Sequence, residues 1–218
     1  MNAALAERTV AGLHETLVTV VESLLSRTEP ILDVGCGTGA WLLRLQERGF
    51  TSLHGTDLET AQFGLAGVPV FVNNLNEERW SVVPDRFRLI TAIEVIEHLQ
   101  NFENFFRNLY RHLDERGVCL ITTPNIHSLH ARLRYILTAD MKQFGRIGDP
   151  THVFPLLGAT LERLCARHGF DITAQWGYPA SGDCVGARRW VNAAVRVLRQ
   201  VLPEPISGDA YCILLRKR

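Results

Sequence analysis

A hydrophobic run that ends in an acid and enters a glycine-rich turn is the feature that most constrains this chain. Residues 31–40 read Ile-Leu-Asp-Val-Gly-Cys-Gly-Thr-Gly-Ala and lead into a helical pattern. Glycine allows a sharp turn and lets a ligand lie against main-chain N–H groups, and the partial positive charge at a helix N-terminus favours an anion there. The segment therefore predicts a strand, a nucleotide-binding turn and a helix.

A second acid, Asp57, ends the next apolar run, twenty residues beyond Gly37. A carboxylate placed there accepts hydrogen bonds from both ribose hydroxyls of a nucleoside, in a nicotinamide dinucleotide and in S-adenosylmethionine alike. Gly35, Gly37 and Ala40 also satisfy the dinucleotide-binding pattern, so the glycine spacing leaves both cofactors open. Asp33 favours S-adenosylmethionine, because an acid before the first glycine suits the ammonium group of an amino-acid end. The alternative role of Asp33 is to cap the turn.

Short β-branched runs alternate with helical patterns from residue 30 onward. Nearly continuous apolar strands separated by helices indicate a parallel sheet that is covered on both faces. The expected fold is α/β, a Rossmann-like three-layer sandwich whose seven-stranded, mostly parallel sheet has an antiparallel last strand. The strands are predicted near residues 30–34, 52–56, 69–73, 87–92, 117–123, 170–176 and 209–215. The helices are predicted near residues 39–48, 77–81, 102–114, 158–168 and 187–202, after an amphipathic N-terminal helix.

Composition excludes several classes of protein. The 23 basic and 23 acidic residues balance, which removes the basic excess of a dedicated nucleic-acid binder. Five cysteines without a C-x-x-C pair indicate neither a disulfide framework nor a zinc module. The N-terminal segment carries acids within its apolar pattern, and no uncharged apolar run is long enough to cross a bilayer. We therefore expect a cytoplasmic protein.

Taken together, five segments resemble the motifs of class I S-adenosylmethionine-dependent methyltransferases. The branch that contains the ubiquinone-biosynthesis O-methyltransferases is the most similar in motif. The segments are LDVGCGTGAWL (32–42), GTDLE (55–59), NNLNEE (73–78), ITAIEVIEHL (90–99) and GVCLITTPN (117–125). The resemblance implies one methyltransferase domain over residues 1–218, in which 30–125 form the cofactor-binding half. The long segments 126–157 and 177–208 are expected to form a lid or wall for the acceptor.

The resemblance also implies which residues bind S-adenosylmethionine. The methionine moiety is assigned to the glycine turn and its acid, the ribose to Asp57, and the adenine face to Leu58. Asn74 takes the place of an acid that usually accepts a hydrogen bond from the adenine amino group. The full set of expected cofactor-binding residues is Asp33, Gly35, Cys36, Gly37, Gly39, Asp57, Leu58, Asn74, Leu75, Ile93 and Glu94.

Two histidines are candidates for the chemistry at the acceptor. Histidine is the natural base because its unperturbed pKa lies near neutrality. His98 follows the fourth predicted strand, and His152 lies in a turn-rich segment where the resembling families often place a histidine. Either one could instead be a hydrogen-bonded turn residue. A metal ion would need clustered ligands, which Glu94, Glu97, His98, Asp149 and His152 supply only if the fold joins them, so no metal site is predicted.

The predicted function is methyl transfer to a small molecule, to an oxygen of a quinone precursor, a glycan or a lipid-linked intermediate. Two alternatives remain at this point, an NAD-dependent oxidoreductase and a non-catalytic partner protein that binds S-adenosylmethionine. The expected partner is a small-molecule acceptor, no nucleic acid is expected, and the sequence does not indicate the oligomeric state. Basic amphipathic patterns over 127–138 and 187–202 suggest a peripheral membrane contact, with ordinary packing against the sheet as the alternative.

Overall fold

Residues 5–82, 86–146 and 148–218 are described by the computed structural model. A single 3₁₀ turn, Ile96–His98, follows the fourth strand. The helices are α1 (Leu13–Leu24), α2 (Ala40–Glu47), α3 (Phe102–His112), α4 (Leu129–Thr138), α5 (Gly158–Arg167) and α6 (Arg189–Leu198). The strands are β1 (Ile31–Val34), β2 (Leu53–Asp57), β3 (Val70–Val72), β4 (Phe87–Ile93), β5 (Leu113–Pro124), β6 (Phe170–Tyr178) and β7 (Ala210–Lys217).

All seven strands join one sheet in the order β3-β2-β1-β4-β5-β7-β6. The pairs from β3 to β5 are parallel, and β7 runs antiparallel to both of its neighbours, β5 and β6. The predicted α/β fold with an antiparallel last strand is confirmed. Because the chain leaves β1 in one direction toward β2 and later returns to its other side at β4, the strand order reverses at β1.

Alternating residues of the central strands divide the core into two layers, one on each face of the sheet. On one face Ile31, Leu89 and Leu120 pack against the apolar sides of α1 and α2. On the other face Leu32 and Ile90 pack against α3 and α5. Burial of both faces explains why the strands read as nearly continuous apolar runs. The molecule is therefore a three-layer sandwich, as the sequence predicts.

The short helix predicted over residues 77–81 does not form. Side chains of residues outside the segment form hydrogen bonds with backbone groups that would otherwise bond to one another within such a helix. Asn108 of α3 accepts a hydrogen bond from the Trp80 N–H and donates one to the Glu77 carbonyl. Asn73 accepts a bond from the N–H of Ser81. The prediction was wrong because this segment satisfies its polar groups against α3 instead of within itself.

The junction of α3 and β5 also differs from the prediction. The helix was expected to run to residue 114 and the strand to begin at 117, but α3 ends at His112 and β5 begins at Leu113. Leu113 already pairs with Phe87 of β4. Pairing along the sheet therefore extends the strand at the expense of the helix.

Helices α4 and α6 leave much of their apolar surface uncovered. Leu129 is the buried residue of α4, and Val195 is that of α6. Trp190 is 67% exposed and Leu137 is 80% exposed. Each helix therefore packs through one buried residue and leaves most of its other apolar side chains exposed.

Candidate active site

A cavity of about 1030 Å³ opens at the carboxyl ends of β1, β2 and β4, where the strand order reverses. Ligands of doubly wound α/β sheets bind at such a switch point, because the loops on its two sides diverge and leave a crevice. Of the thirteen predicted site residues, Gly39 is the one that does not line this cavity. The twelve that line it are Asp33, Gly35, Cys36, Gly37, Asp57, Leu58, Asn74, Leu75, Ile93, Glu94, His98 and His152.

Asp33 is buried at the end of β1 and is held by a chain of hydrogen bonds. The Thr91 hydroxyl donates to its Oδ1 at 2.7 Å, and the indole N–H of Trp41 donates to that hydroxyl at 3.1 Å. Burial raises the pKa of Asp33 to about 7, the Thr91 bond opposes the rise, and the charge of Asp57 adds to it. The carboxyl is thus oriented toward the cavity and can change its charge near neutral pH.

The glycine turn uses the left-handed backbone region at each of its glycines. Gly35 has a φ of 72°, and a Cβ there would lie 2.5 Å from Val95 Cγ2. Gly37 has a φ of 51° and open space where a Cβ would stand. Gly39, with a φ of 89°, caps α2 and packs against Phe63, which explains why it faces away from the cavity. The glycines therefore shape the turn and leave room for a ligand beside Gly37.

Asp57 joins the end of β2 to the glycine turn. Its Oδ2 accepts a hydrogen bond from the Gly37 N–H at 2.8 Å, and its Oδ1 accepts one from the Glu59 N–H at 3.2 Å. Each carboxylate oxygen can accept more than one hydrogen bond, so both stay available to a ligand. These two hydrogen bonds thus hold the Asp57 carboxylate in place without a bound molecule.

At the end of β3, the side chain of Asn74 is engaged in its own turn. Its Oδ1 accepts hydrogen bonds from the Asn76 N–H at 3.0 Å and from the Asn76 side-chain amide at 3.2 Å. Both acceptor positions of this oxygen are therefore used within the turn. Leu58, 60% exposed, and the buried Leu75 add apolar surface to the same part of the cavity.

The end of β4 carries Ile93 and a conformationally unusual acid, Glu94. Glu94 has a φ of 54°, a left-handed value that is uncommon for a residue with a side chain. Thr122 of β5 fixes it twice, since its hydroxyl accepts from the Glu94 N–H and donates to Oε1. Burial raises the pKa of Glu94 to about 7, with an opposing contribution from the Thr122 bond and a further rise from Asp209.

The 3₁₀ turn after β4 places Glu97 in the interior with no exposed surface. Burial raises the pKa of its carboxyl well above the usual range, and the negative charge of Glu94 adds to the rise. Its backbone carbonyl accepts hydrogen bonds from the N–H groups of Val153 and Phe154. These bonds tie the segment that carries His152 to the end of β4.

His98 and His152 lie side by side, with ring centroids 4.7 Å apart and ring planes at 74°. The Nε2 of His152 is 3.9 Å from Oε1 of Glu97. Burial lowers the pKa of His152, the neighbouring His98 lowers it further, and Asp149 opposes the shift. At neutral pH the His152 ring therefore holds a free lone pair within the cavity. The fold thus joins the two candidate histidines, which are 54 positions apart in the chain.

Further residues complete the walls, some from the N-terminal segment, which the sequence did not suggest, and some from the later segments that were expected to form a wall. The segment before α1 covers one side of the cavity with Ala6, Arg8, Thr9, Val10 and Ala11. The far side includes Arg134, Lys142, Gln143, Asp149, Val185 and Asp209. The signal that could have pointed to the N-terminal segment is its polar stretch ahead of an otherwise apolar helix, but no motif marks it.

Comparison with known families shows which protein family the chain belongs to. A family model described as a methyltransferase domain matches residues 6–175, which is more than half of the chain. The chain belongs to the methyltransferase domain family. The match includes the glycine turn, both acids and both histidines of the cavity. Of the two cofactors that the glycine spacing left open, the family favours S-adenosylmethionine.

Curated relatives include ubiquinone biosynthesis O-methyltransferases from Rickettsia species. That of Rickettsia akari (strain Hartford) is 35% identical over 106 residues, which cover 46% of this chain and 42% of the relative. That of Rickettsia typhi (strain ATCC VR-144 / Wilmington) is 32% identical over 100 residues, covering 44% and 41%. The chain thus spans about two fifths of the length of the curated relatives that it matches.

Solved structures with the same fold include S-adenosylmethionine-dependent methyltransferases. One from Archaeoglobus fulgidus gives a TM-score of 0.60 at 18% identity, and the match covers 94% of both chains. Phosphoethanolamine N-methyltransferase 2 of Haemonchus contortus, in complex with S-adenosyl-L-methionine, gives 0.62 at 14% identity over 96% of this chain and 53% of that one. The predicted family, enzyme class and cofactor are confirmed.

The cavity suits S-adenosylmethionine in both charge and shape. Asp33, Gly37 and Asp57 all line the cavity, and the two carboxyl groups match an ammonium group and two ribose hydroxyls. Leu58, Leu75 and Ile93 supply an apolar wall of the kind that a purine ring needs. When bound, this cofactor supplies an electrophilic methyl group on a sulfonium. The residues present therefore fit the donor.

Proposed function

We propose that this chain methylates an oxygen atom of a small molecule, such as a quinone precursor, a glycan or a lipid-linked intermediate. The observation that carries the proposal is the meeting of the glycine turn with His98 and His152 in one cavity. Similarity to O-methyltransferases over less than half of the chain supports oxygen as the accepting atom.

Within this proposal the chain mainly positions the two reactants. Asp33, Asp57 and the turn amides hold the donor, and the neutral His152 ring accepts the proton of a hydroxyl or ligates the acceptor. Fixing two reactants in an attack geometry contributes about 7–11 kcal/mol to lowering a barrier. Removal of a proton by a positioned base adds a factor of about 10²–10⁴.

The proposed division of labour places the donor on residues 30–125 and the acceptor against 126–157 and 177–208. Side chains from both later segments reach the cavity, which supports this division. Arg134, Lys142 and Asp149 come from the first segment and Val185 from the second. A wall with both charges suits an acceptor that carries polar groups rather than a purely aliphatic one.

We also propose a peripheral membrane contact through residues 187–202 in a cytoplasmic protein. The uncovered Trp190, Val197 and Val201 beside Arg188 and Arg189 support this contact, since such a surface suits anionic lipid headgroups over an apolar layer. Within the described residues, no helix combines the length and apolarity that crossing a membrane requires.

Formation of S-adenosylhomocysteine in the presence of candidate acceptors tests the proposed reaction. The panel pairs each phenolic, sugar or lipid-linked hydroxyl compound with its O-methylated counterpart. We expect turnover with at least one hydroxyl compound and none with its methylated partner. Transfer to an amine in preference to every hydroxyl would contradict oxygen as the acceptor. S-adenosylhomocysteine binding without turnover on any class would favour a non-catalytic partner protein.

A further inference from the structure

The polar turn after β3 lies on the side of the cavity toward which the base of the methyl donor extends. β3 is next to β2 on the side away from β1. The Asn73 N–H donates to the Asp57 carbonyl at 2.9 Å, which holds the turn beside the end of β2. Residues 74–76 follow, and all three line the cavity. With the ribose of the donor at Asp57, as proposed above, its purine continues outward to these residues.

Hydrogen bonds within this turn fix the direction of the Asn74 side-chain amide. Its Oδ1 accepts from the Asn76 backbone N–H at 3.0 Å and from the Asn76 side-chain amide at 3.2 Å. A backbone N–H only donates, so the end of the Asn74 amide that faces it is the oxygen. Nδ2 of Asn74 lies 3.5 Å from Glu77 Oε1 and carries a second N–H. Residue 74 therefore offers a ligand a donor rather than an acceptor.

The side chain of Asn76 is itself held by the loop that follows the 3₁₀ turn. Its Oδ1 accepts from the backbone N–H groups of Gln100 at 2.7 Å and Asn101 at 2.9 Å. Because both of these groups only donate, the Asn76 amide cannot turn over, and its Nδ2 stays directed at Asn74. The Asn104 side-chain amide also donates to the Asn76 carbonyl, at 2.8 Å. The orientation of Asn74 is thus set by α3 and the loop before it.

The edge of adenine presents an amino group, which donates, beside the ring nitrogen N1, which accepts. A protein acceptor therefore selects the amino group, whereas a protein donor bonds to the ring nitrogen. Hypoxanthine carries an oxygen in place of the amino group, and that oxygen accepts from the same N–H. Unsubstituted purine carries a hydrogen there and keeps N1. A protein N–H at this edge consequently distinguishes the three bases only weakly.

We propose that Asn74 donates to the base of the methyl donor and that Asn76 is the positioning residue that holds it in this role. The expected acceptor role of Asn74 is thereby reversed, and the base site does not select the 6-amino group. Sulfonium nucleosides with a 6-oxo or an unsubstituted purine then bind alongside the adenine form. Leu58 and Leu75 suit all three, because the ring systems share the same apolar faces.

Equilibrium binding of three product analogues tests this proposal without any methyl transfer, so its failure leaves the proposed reaction untouched. Full-length protein is titrated by calorimetry with S-adenosylhomocysteine, with its 6-oxo counterpart S-inosylhomocysteine, and with the counterpart that contains unsubstituted purine. We expect the three dissociation constants of the parent to agree within about fivefold, because no hydrogen bond to the amino group is lost. A larger loss of affinity for either analogue would overturn the proposal.

Two variants separate the roles of the two amides, read as the ratio of the affinities for the adenine and unsubstituted purine analogues. Asn74→Asp supplies a charged acceptor, and its preference for adenine should rise at least about tenfold. Asn76→Asp keeps the acceptor for Gln100 and Asn101 but no longer donates to Asn74. The Asn74 oxygen is then released, and the preference should rise at least about threefold. An unchanged ratio in Asn74→Asp would overturn the placement of the base, and an unchanged ratio in Asn76→Asp would overturn its positioning role.

The matched control is Asn192→Asp, which adds the same charge in α6. Asn192 accepts a hydrogen bond from the Cys184 N–H at 3.1 Å, which aspartate keeps, and it does not line the cavity. Its ratio of affinities should equal that of the parent. Because the readout is a ratio, a general loss of affinity or stability in any variant cancels. A rise in the control equal to that in the turn variants would reveal a general effect of charge and overturn the proposal.

Discussion

The two halves of this chain build their parts of the cavity in different ways. In residues 30–125, the proposed cofactor half, the side chains that line the cavity lie at the ends of buried parallel strands, as with Asp33 and Asp57. In the later segments, 126–157 and 177–208, the lining side chains come from loops and from two helices with little buried surface. Under the proposed division of labour, the sheet fixes donor recognition, whereas acceptor recognition depends on the segments around it.

This difference explains why the site residues of residues 30–125 can be predicted from sequence and those of the later segments cannot. A strand end has a narrow choice of residues, because neighbouring strands lie a few ångströms away and a loop amide must be satisfied, as Gly37 is by Asp57. An exposed helix tolerates many residue types. The residues on its surface can therefore vary between enzymes that bind different acceptors. The comparison predicts large effects of substitutions in the first half and small effects in the second.

The largest expected effect concerns stability at Asp33. Its raised pKa, about 7, means that the folded protein holds a proton that the unfolded chain has released above pH 4. The folded state thus loses stability as pH rises toward 7, and Asp33→Asn removes that loss. We expect the variant to be more stable by about 4 kcal/mol at pH 8 and by about 3 kcal/mol at pH 6. Urea unfolding at both pH values measures the difference.

A matched control for this prediction is Asp171→Asn, an exposed acid paired with Arg218 on the surface. We expect a change within about 0.5 kcal/mol at both pH values. If Asp33 binds the ammonium group as proposed, the same Asp33→Asn variant binds S-adenosylhomocysteine more weakly than the parent, because it lacks the carboxylate charge. A variant less stable than the parent at pH 8 would show that the carboxyl is ionised and well solvated in the fold.

The second effect is on donor affinity at Asp57. Asp57→Ala removes the proposed acceptor for two ribose hydroxyls and leaves the Gly37 N–H without its carboxylate partner. We expect S-adenosylhomocysteine to bind about 100-fold more weakly, or about 3 kcal/mol, by calorimetry. Glu59→Ala serves as the control, since Glu59 contacts Asp57 through its backbone N–H, which alanine keeps. Unchanged affinity in Asp57→Ala would reject the ribose assignment.

The smallest effect on the fold is expected at α6. Replacing Arg188, Arg189 and Trp190 by alanine should change stability by no more than about 0.5 kcal/mol per site, because all three lie on the surface. It should leave donor affinity unchanged but reduce co-sedimentation with anionic liposomes. Parent protein that fails to sediment with these vesicles would sink the proposed membrane contact.

Much of the fold could be predicted from sequence because burial on both faces of a parallel sheet leaves a simple pattern. Asp33 and the glycine turn could be identified without knowledge of the tertiary structure. The residues that shape the turn and those expected to contact a ligand are adjacent in the chain. The failed helix at 77–81 shows the limit, because Asn108, a residue about 30 positions away, decides where its backbone bonds go. The engagement of Asn74 by Asn76 was likewise invisible, since a side-chain amide can turn either inward or outward.

The backbone conformation of Glu94 depends on the neighbouring strand β5. A left-handed residue that is not glycine survives only where its surroundings fix it, and the two bonds from Thr122 do so. Thr122 belongs to β5, whose continuation leads through Asn125 into the segment that carries α4. The unusual backbone conformation of Glu94, at the cavity, therefore depends on β5, the strand that continues into the segment carrying α4.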